Sequence, residues 1–416
     1  MNGFTLVFVS AILIDLLVHG WLSLRHVRHV RAHRAAVPPA FASYLPLAAH
    51  QKAADYTVAK VRFEDVERCY ALALLVGWTL GGGLQGLDTL WRSAGLPELA
   101  AGVGFVISSL VLLGLLEVPV SAYGAFVIEQ RFGFNRMTPR LFVTDLLTNT
   151  LLLVAIGTPL CALVLWLMGH AGEGWWLYVW AAWMGFTLLM TWAYPRFIAP
   201  LFNEFRPLPD QALRARIERL LQQVGYSSRG VFVMDGSRRS SHGNAYFTGF
   251  GSNKRIVFFD TLLKDLQPEE IESVLAHELG HFKRRHVLKQ FGLMAVLSLL
   301  GLAALGWLGA KPWFYAGLGI AAPSLPAALI LFLLVAPSFG FWLQPLLAAL
   351  SRRYEHEADD FAAALAGAPT MVNALVKLYN ENAATVTPDP LYSSFHDTHP
   401  PAAVRIAHLT AAARAV

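Results

Sequence analysis

Seven runs of mostly apolar residues set the pattern along this chain, with polar and charged residues gathered between them. The runs cover roughly 3–24, 69–91, 100–128, 143–169, 174–197, 287–309 and 325–350, each near the ~20 residues that cross a bilayer as a helix. They predict a mainly α, polytopic seven-helix membrane protein. The first run has no basic segment ahead of it, and Arg25, Arg28, Arg31 and Arg34 follow it. It reads as a retained anchor with the N-terminus outside, not as a cleaved signal peptide. Basic residues hold loops in the cytoplasm. They fill 25–68, recur at Arg131, Arg136 and Arg140, mark the long segment between runs five and six, and return at Arg352 and Arg353. The alternate loops hold little beyond Arg92, Glu98, Glu173 and Lys311. Seven spans with the N-terminus outside put every basic segment on one side. The expected location is the cytoplasmic membrane, or the endoplasmic reticulum membrane if the source is eukaryotic.

Some runs contain breaks and polar groups, among them Gly81-Gly82-Gly83, Asn149, Thr150 and Pro159. Polar residues in spans often face a watery interior, whereas single small residues more often let helices pack closely, the reading preferred here for the glycines. Asp15 and His19 sit one helical turn apart. They either line a cavity or lie near the cytoplasmic end of the first span.

The chain divides into 1–197 with five spans, a polar segment 198–286, 287–350 with two spans, and a polar tail 351–416. The polar segment predicts a helix over 211–224 from apolar spacing, then strands at Val231–Met234, 245–248 and 256–259. A helix start follows at 265–270, with Pro268 and acidic residues in its first turn. The tail reads as mostly helical. These two segments together predict an α+β unit on the cytosolic side of the membrane.

Composition agrees. Of 416 residues, 55% are hydrophobic and only 15% charged, with mean hydropathy +0.47, against about 25% charged in soluble domains. A soluble globular or disordered chain is thereby excluded. Cys69 and Cys161 both lie in apolar stretches, which excludes a disulfide framework and a cysteine-only metal site. The net charge of +5 is accounted for by the cytoplasmic loops, and no motif points to nucleic acid.

The chemistry is carried by His277-Glu278-Leu279-Gly280-His281, an H-E-x-x-H. Residues four apart share a helix face, so both imidazoles can point at one metal, and Glu278 beside them can reach water activated there. A catalytic zinc needs a third protein ligand. The best source is 351–359, where Glu355 and Asp359 share a face. One could bind metal while the other holds a ligand histidine by its second nitrogen. Charge alone does not choose between Glu355, His356 and Glu357.

In these residues the chain resembles the type I CAAX prenyl endopeptidase family, seven-span zinc metalloproteases. The resemblance rests on 129–135 (EQRFGFN), 200–203 (PLFN), 242–250 (HGNAYFTGF), 254–257 with 260–262, HELGH, 351–355 with Ala358-Asp359, and His399-Pro400-Pro401 with Arg405. It implies a zincin-like catalytic unit at the membrane face and one zinc per chain on His277, His281 and Glu355. It further implies Glu278 as general base, Asp359 orienting a ligand, and Asn244 and Ala245 on an edge strand pairing with substrate backbone. His399 and Arg405 would approach the site from the tail, and the spans would enclose a large chamber. One position departs from the family: Gly243 stands where serine is common.

The expected reaction is hydrolysis of a peptide bond in a peptide or protein, possibly prenylated. Glu278 takes the proton of the attacking water and passes it to the leaving amine. His399 is the candidate donor to the oxyanion, and Arg405 is expected to brace Glu355 or Asp359. A protease that clears damaged membrane proteins is the main rival. A transporter, suggested by the seven spans with His26, His29 and His33, and a scaffold without catalysis are the others.

Overall fold

A computed structural model of the chain describes residues 2–226, 230–248 and 255–414. Gly249, Phe250 and Lys254, part of the family-like pattern, lie outside the described residues. Helix α1 (Gly3–Ala32) is followed by α2 (Leu47–Trp78), α3 (Gly83–Ser93), α4 (Glu98–Tyr123), α5 (Pro139–His170) and α6 (Trp175–Ala193). Helix α4 carries Pro119 and runs on through a π-helical turn, so that its apolar rod reaches Phe132. Helices α2 and α3 together have the length and apolarity of one span, bent by 46°. The bend falls on the glycine triplet. Gly82 is left-handed (φ +82°), and a Cβ on Gly81 would lie 2.6 Å from the Gly77 carbonyl oxygen. The triplet therefore serves a turn within the span, not the packing seam expected from small residues.

The polar segment begins with strand β1 (Phe205–Pro207) and helix α7 (Gln211–Gln223), then β2 (Val231–Met234), β3 (Ala245–Thr248) and β4 (Arg255–Phe259). The sheet runs β1-β2-β4-β3, with β2 and β4 parallel and the outer pairs antiparallel. Strand β3 is thus an edge, pairing Ala245 with Phe258. Helix α8 (Pro268–Lys283) starts where the sequence places it. Pro268 fills the first turn, and the Gln267 N–H donates to Glu270 Oε2 at 2.7 Å. Its Ile271, Val274 and Leu275 are buried against Leu213 and Ile217 of α7 and Phe258 of β4. Each such aliphatic side chain contributes about 1.5–3 kcal/mol when fully buried. Phe41 and Leu45, from the loop after α1, join the same core.

Helix α9 (His286–Gly309) follows α8 after a break at Arg284 and Arg285, the latter left-handed with φ +57°. Next come α10 (Leu325–Val335), α11 (Gln344–Ala366), α12 (Ala368–Glu381), α13 (Pro390–His396) and α14 (Ala402–Arg414). The last apolar run is a second broken span, bent by 40° near Pro337, whose ring nitrogen cannot donate to the preceding turn. Beyond the bend, α11 leads from apolar 344–350 into the polar stretch holding Glu355 and Asp359.

Among the described residues four helices qualify as single spans, and the two bent pairs bring the number to six. The seventh expected span, 174–197, is α6. Its 19 residues rise about 28 Å, near the ~30 Å hydrocarbon core. Five tryptophans lower its hydropathy. Between the membrane helices lies a cavity of about 1480 Å³, lined among others by Asp15, His19, Glu64, Arg68 and Glu117. Asp15 and His19 thus line a cavity, bonded to each other at 3.1 Å. Of the cysteines, Cys161 is buried and Cys69 exposed, both free.

Candidate active site

Two helices make this site by crossing very closely. A Cβ on Gly280 of α8 would lie 2.9 Å from the Ala358 Cα of α11, so glycine here and alanine opposite set the separation. At that separation the side chains one turn away meet. Glu355 Oε2 is 3.4 Å from His277 Nε2, and Glu355 Oε1 is 3.3 Å from His281 Nε2. The two Nε2 atoms are 3.2 Å apart.

The donor set fits a metal. Two imidazole nitrogens and one carboxylate oxygen all lie within 4.8 Å of one another, the ligand types and number of a catalytic zinc. Glu355 Oε2 is a buried oxygen without a hydrogen-bond partner among the described residues. The charged neighbours resolve in the fold: Glu355 faces the imidazoles, His356 rings against His408, and Glu357 bonds to His286.

The other predicted residues gather round. Asp359 Oδ1 accepts from His277 Nδ1 at 2.9 Å. Arg405, from α14, donates to Asp359 and has Nη1 3.6 Å from Glu355 Oε2, so both carboxylates expected as its partners are within reach. His399 Nε2 lies 3.4 Å from Glu355 Oε1, with its side chain 61% exposed. Glu278 has no hydrogen bond or ion pair among the described residues. It faces a cavity of about 350 Å³ that is also lined by Asn244, Ala245, His277, His399 and Arg405. Ala245 opens strand β3, and Asn244 precedes it, its carbonyl accepting from the Phe259 N–H at 2.9 Å. Gly243 has room for the common serine: a Cβ would stand 3.4 Å from Leu262 Cα.

Burial opposes charge on His277, but hydrogen bonds to Asp359 and Glu355 outweigh it and lift its pKa to about 9. Burial pushes the Glu278 carboxyl up from its ordinary range. Burial also works against charged Arg405, yet its bonds to Asp359 hold it above the usual arginine value.

Sequence reading missed His286 and Asn382, and weighed Glu357 only as a third ligand. His286 and Glu357 continue from His281 Nδ1, at 3.0 and 3.1 Å. Asn382 Oδ1 accepts the Gly243 N–H at 3.2 Å and also bonds His242 Nδ1, tying the approach to β3 to the end of α12. His26, His29 and His33 are not among the metal-ligating groups of the described residues. His26 stacks on Tyr392 and accepts the Asp389 N–H.

Two family models divide the chain between them. Residues 26–204 match the CAAX prenyl protease N-terminal region, five membrane helices, and residues 207–413 match peptidase family M48. This chain belongs to peptidase family M48. It is similar to the CAAX prenyl protease 1 homolog of Oryza sativa subsp. japonica, 33% identical over 397 residues, covering 91% of this chain and 92% of that one. CAAX prenyl protease 1 of Saccharomyces cerevisiae is 31% identical over 412 residues, covering 93% and 91%. The crystal structure of S. mikatae Ste24p superposes with a TM-score of 0.90 at 28% identity, covering 98% of this chain and 99% of that one. As an M48 peptidase the protein is an integral, multi-pass membrane metalloendopeptidase acting on peptide or protein substrates. The convergence of His277, His281 and Glu355 offers a site for its metal.

Proposed function

We propose that the protein binds one Zn²⁺ on His277, His281 and Glu355 and cuts peptide bonds near the C-terminus of prenylated, CAAX-type proteins or peptides. The observation that carries the reading is the meeting of two imidazoles and a carboxylate, beside an untethered Glu278, at a cavity bordered by an edge strand. When bound, zinc supplies Lewis-acid polarisation of the scissile carbonyl and acidifies water.

Glu278 takes the proton of the attacking water and delivers it to the leaving amine. The His399 Nε2–H donates to the developing oxyanion, from a side chain that opens into the cavity. Asp359 accepts from His277 Nδ1 and keeps that ring's Nε2 facing Glu355, and Arg405 holds Asp359 in place. The substrate backbone pairs with the outer edge at Asn244 and Ala245, displacing the Asn244 Oδ1 that accepts the Ala245 N–H at 2.8 Å, and this fixes the scissile bond against Glu278.

Relatives named CAAX prenyl protease 1 support the prenylated substrate class, and the large cavity among the membrane helices offers apolar lining for a lipid-bearing peptide. The loop charges support a site on the cytoplasmic side and an outside N-terminus. The membrane is then the cytoplasmic one, or that of the endoplasmic reticulum in a eukaryote. The division into 1–197, 198–286, 287–350 and 351–416 follows: two membrane units and the two cytosolic segments that make the site.

The test is proteolysis in detergent, with wild type and Glu278→Gln acting on a farnesylated CAAX peptide and its unmodified twin, zinc being measured on both proteins. Cleavage of the farnesylated peptide by wild type alone, at equal zinc, is expected. Equal cleavage of both peptides removes the prenyl requirement and favours clearance of membrane proteins.

A further inference from the structure

We propose that His286 and Glu357 form a hydrogen-bonded relay that fixes the proton of His281 on Nδ1, keeping its Nε2 lone pair free for the metal. The inference rests on the proposed zinc site of His277, His281 and Glu355.

Polarity follows from the last member of the chain. A carboxylate only accepts hydrogen bonds. Glu357 Oε2 lies 3.1 Å from His286 Nε2, so that nitrogen carries the proton. The neutral ring's other nitrogen, Nδ1, is then an acceptor. It lies 3.0 Å from His281 Nδ1, which must therefore be the donor. With its proton on Nδ1, His281 presents a bare Nε2, the atom 3.3 Å from Glu355 Oε1. The reverse polarity requires a doubly protonated His286. That ring is 1% exposed and stacks on Tyr354 at 4.2 Å, and the opposite side of the site already holds Arg405.

The backbone is shaped for this contact. At about 100° per residue, position 286 of an unbroken helix would lie about 140° round from position 281. The left-handed Arg285 ends α8 and starts α9 on a new axis, and that turn brings the two rings together. Stacking on Tyr354 fixes the His286 ring plane, and Arg353 Nε at 3.3 Å from Glu357 Oε1 holds the carboxylate.

The two ligand histidines are therefore oriented differently. His277 donates directly to Asp359, while His281 reaches Glu357 through a neutral imidazole. Both arrangements leave Nε2 facing the metal position, but only the first puts a charge against a ligand ring. His286 and Glu357 are positioning residues.

The experiment measures zinc affinity of the purified full-length protein by chelator competition. Its variants are His286→Ala, His286→Asn, Glu357→Leu and Glu355→Ala. Removing an outer hydrogen-bond partner of a ligand histidine weakens metal binding about 10–100-fold, the loss expected for His286→Ala. His286→Asn places a carbonyl oxygen near the lost Nδ1, so it accepts from His281 and recovers most of the affinity. A merely structural role for the ring gives no such recovery. Glu357→Leu, at a side chain 28% exposed, is expected to weaken zinc binding about tenfold and carries the test if His286→Ala does not fold. Wild-type affinity in His286→Ala or in Glu357→Leu, or equal losses in His286→Ala and His286→Asn, overturns the relay. Glu355→Ala separates the two ideas. If it binds zinc like wild type, the metal site itself is misassigned. If it loses zinc while the His286 and Glu357 variants do not, the relay alone fails.

Discussion

Arg405 donates to both carboxylate oxygens of Asp359, Nε at 2.8 Å and Nη2 at 2.5 Å, and the pair is buried. Asp359 at the same time accepts from His277 Nδ1, so one fork of hydrogen bonds stands behind an H-E-x-x-H histidine. Removing one partner of a buried ion pair leaves the other charged and unpaired, at a cost of about 3–5 kcal/mol. Arg405→Ala is therefore expected to melt lower and to lose zinc. Arg405→Lys keeps the charge but not the planar fork, and should fall between Ala and wild type. Melting temperature and zinc stoichiometry check this together. Wild-type values for both in Arg405→Ala would remove Arg405 from the site.

Glu278 is the carboxylate next to the imidazole pair that has no hydrogen bond or ion pair among the described residues, and it faces the cavity. A positioned general base contributes about 10²–10⁴-fold to rate. Glu278→Gln keeps the shape and loses the basicity. Its turnover should drop by about that factor with zinc content unchanged. Retained turnover at full zinc would end the general-base assignment, and lost zinc would recast Glu278 as part of the metal's support.

The parts legible in the sequence are those with a local cause. Apolar length marked the membrane helices, and four-residue spacing put His277 and His281 on one face. The choice among Glu355, His356 and Glu357 was not legible, because it depends on the rotation of α11 against α8. That rotation is set where Gly280 meets Ala358, 78 residues away in a different helix. His286 was missed because five residues do not share a helix face, and only the left-handed Arg285 brings it to His281. The glycine triplet was misread because bending and packing draw on the same residue type, and only φ at Gly82 separates them. The tail residues were readable only as a pattern like that of a known family, since no local rule carries Arg405 across to Asp359.

Gly280 makes the helix crossing itself testable. A methyl there would stand 2.9 Å from the Ala358 Cα and 3.1 Å from its carbonyl oxygen, and neither backbone atom can move alone. Overpacking of this kind costs about 1–3 kcal/mol. In Gly280→Ala the two helices should separate, drawing Glu355 away from the imidazoles. The expected result is a lowered melting temperature with a disproportionate fall in zinc affinity. A variant that melts lower but binds zinc like wild type would show that the site does not depend on this contact.

His277 gives the chelated and zinc-loaded proteins opposite responses to pH. In the metal-free protein its folded pKa is raised from 6.5 to about 9 by Asp359 and Glu355, which outweigh burial. The stability this contributes is fully present below 6.5 and is lost as pH rises through about 9. Zinc needs the ring neutral, so protons compete with the metal over the same range and its binding strengthens as pH rises. The gain in melting temperature from adding zinc to the chelated protein should therefore grow steadily from pH 6 to pH 9, a window on the order of the shift itself. Melting curves at matched free zinc measure it. A gain that stays constant, or shrinks, across that window would mean that His277 carries no proton that zinc must displace, and the His277–Asp359 contact would then be a hydrogen bond from a neutral imidazole to the carboxylate.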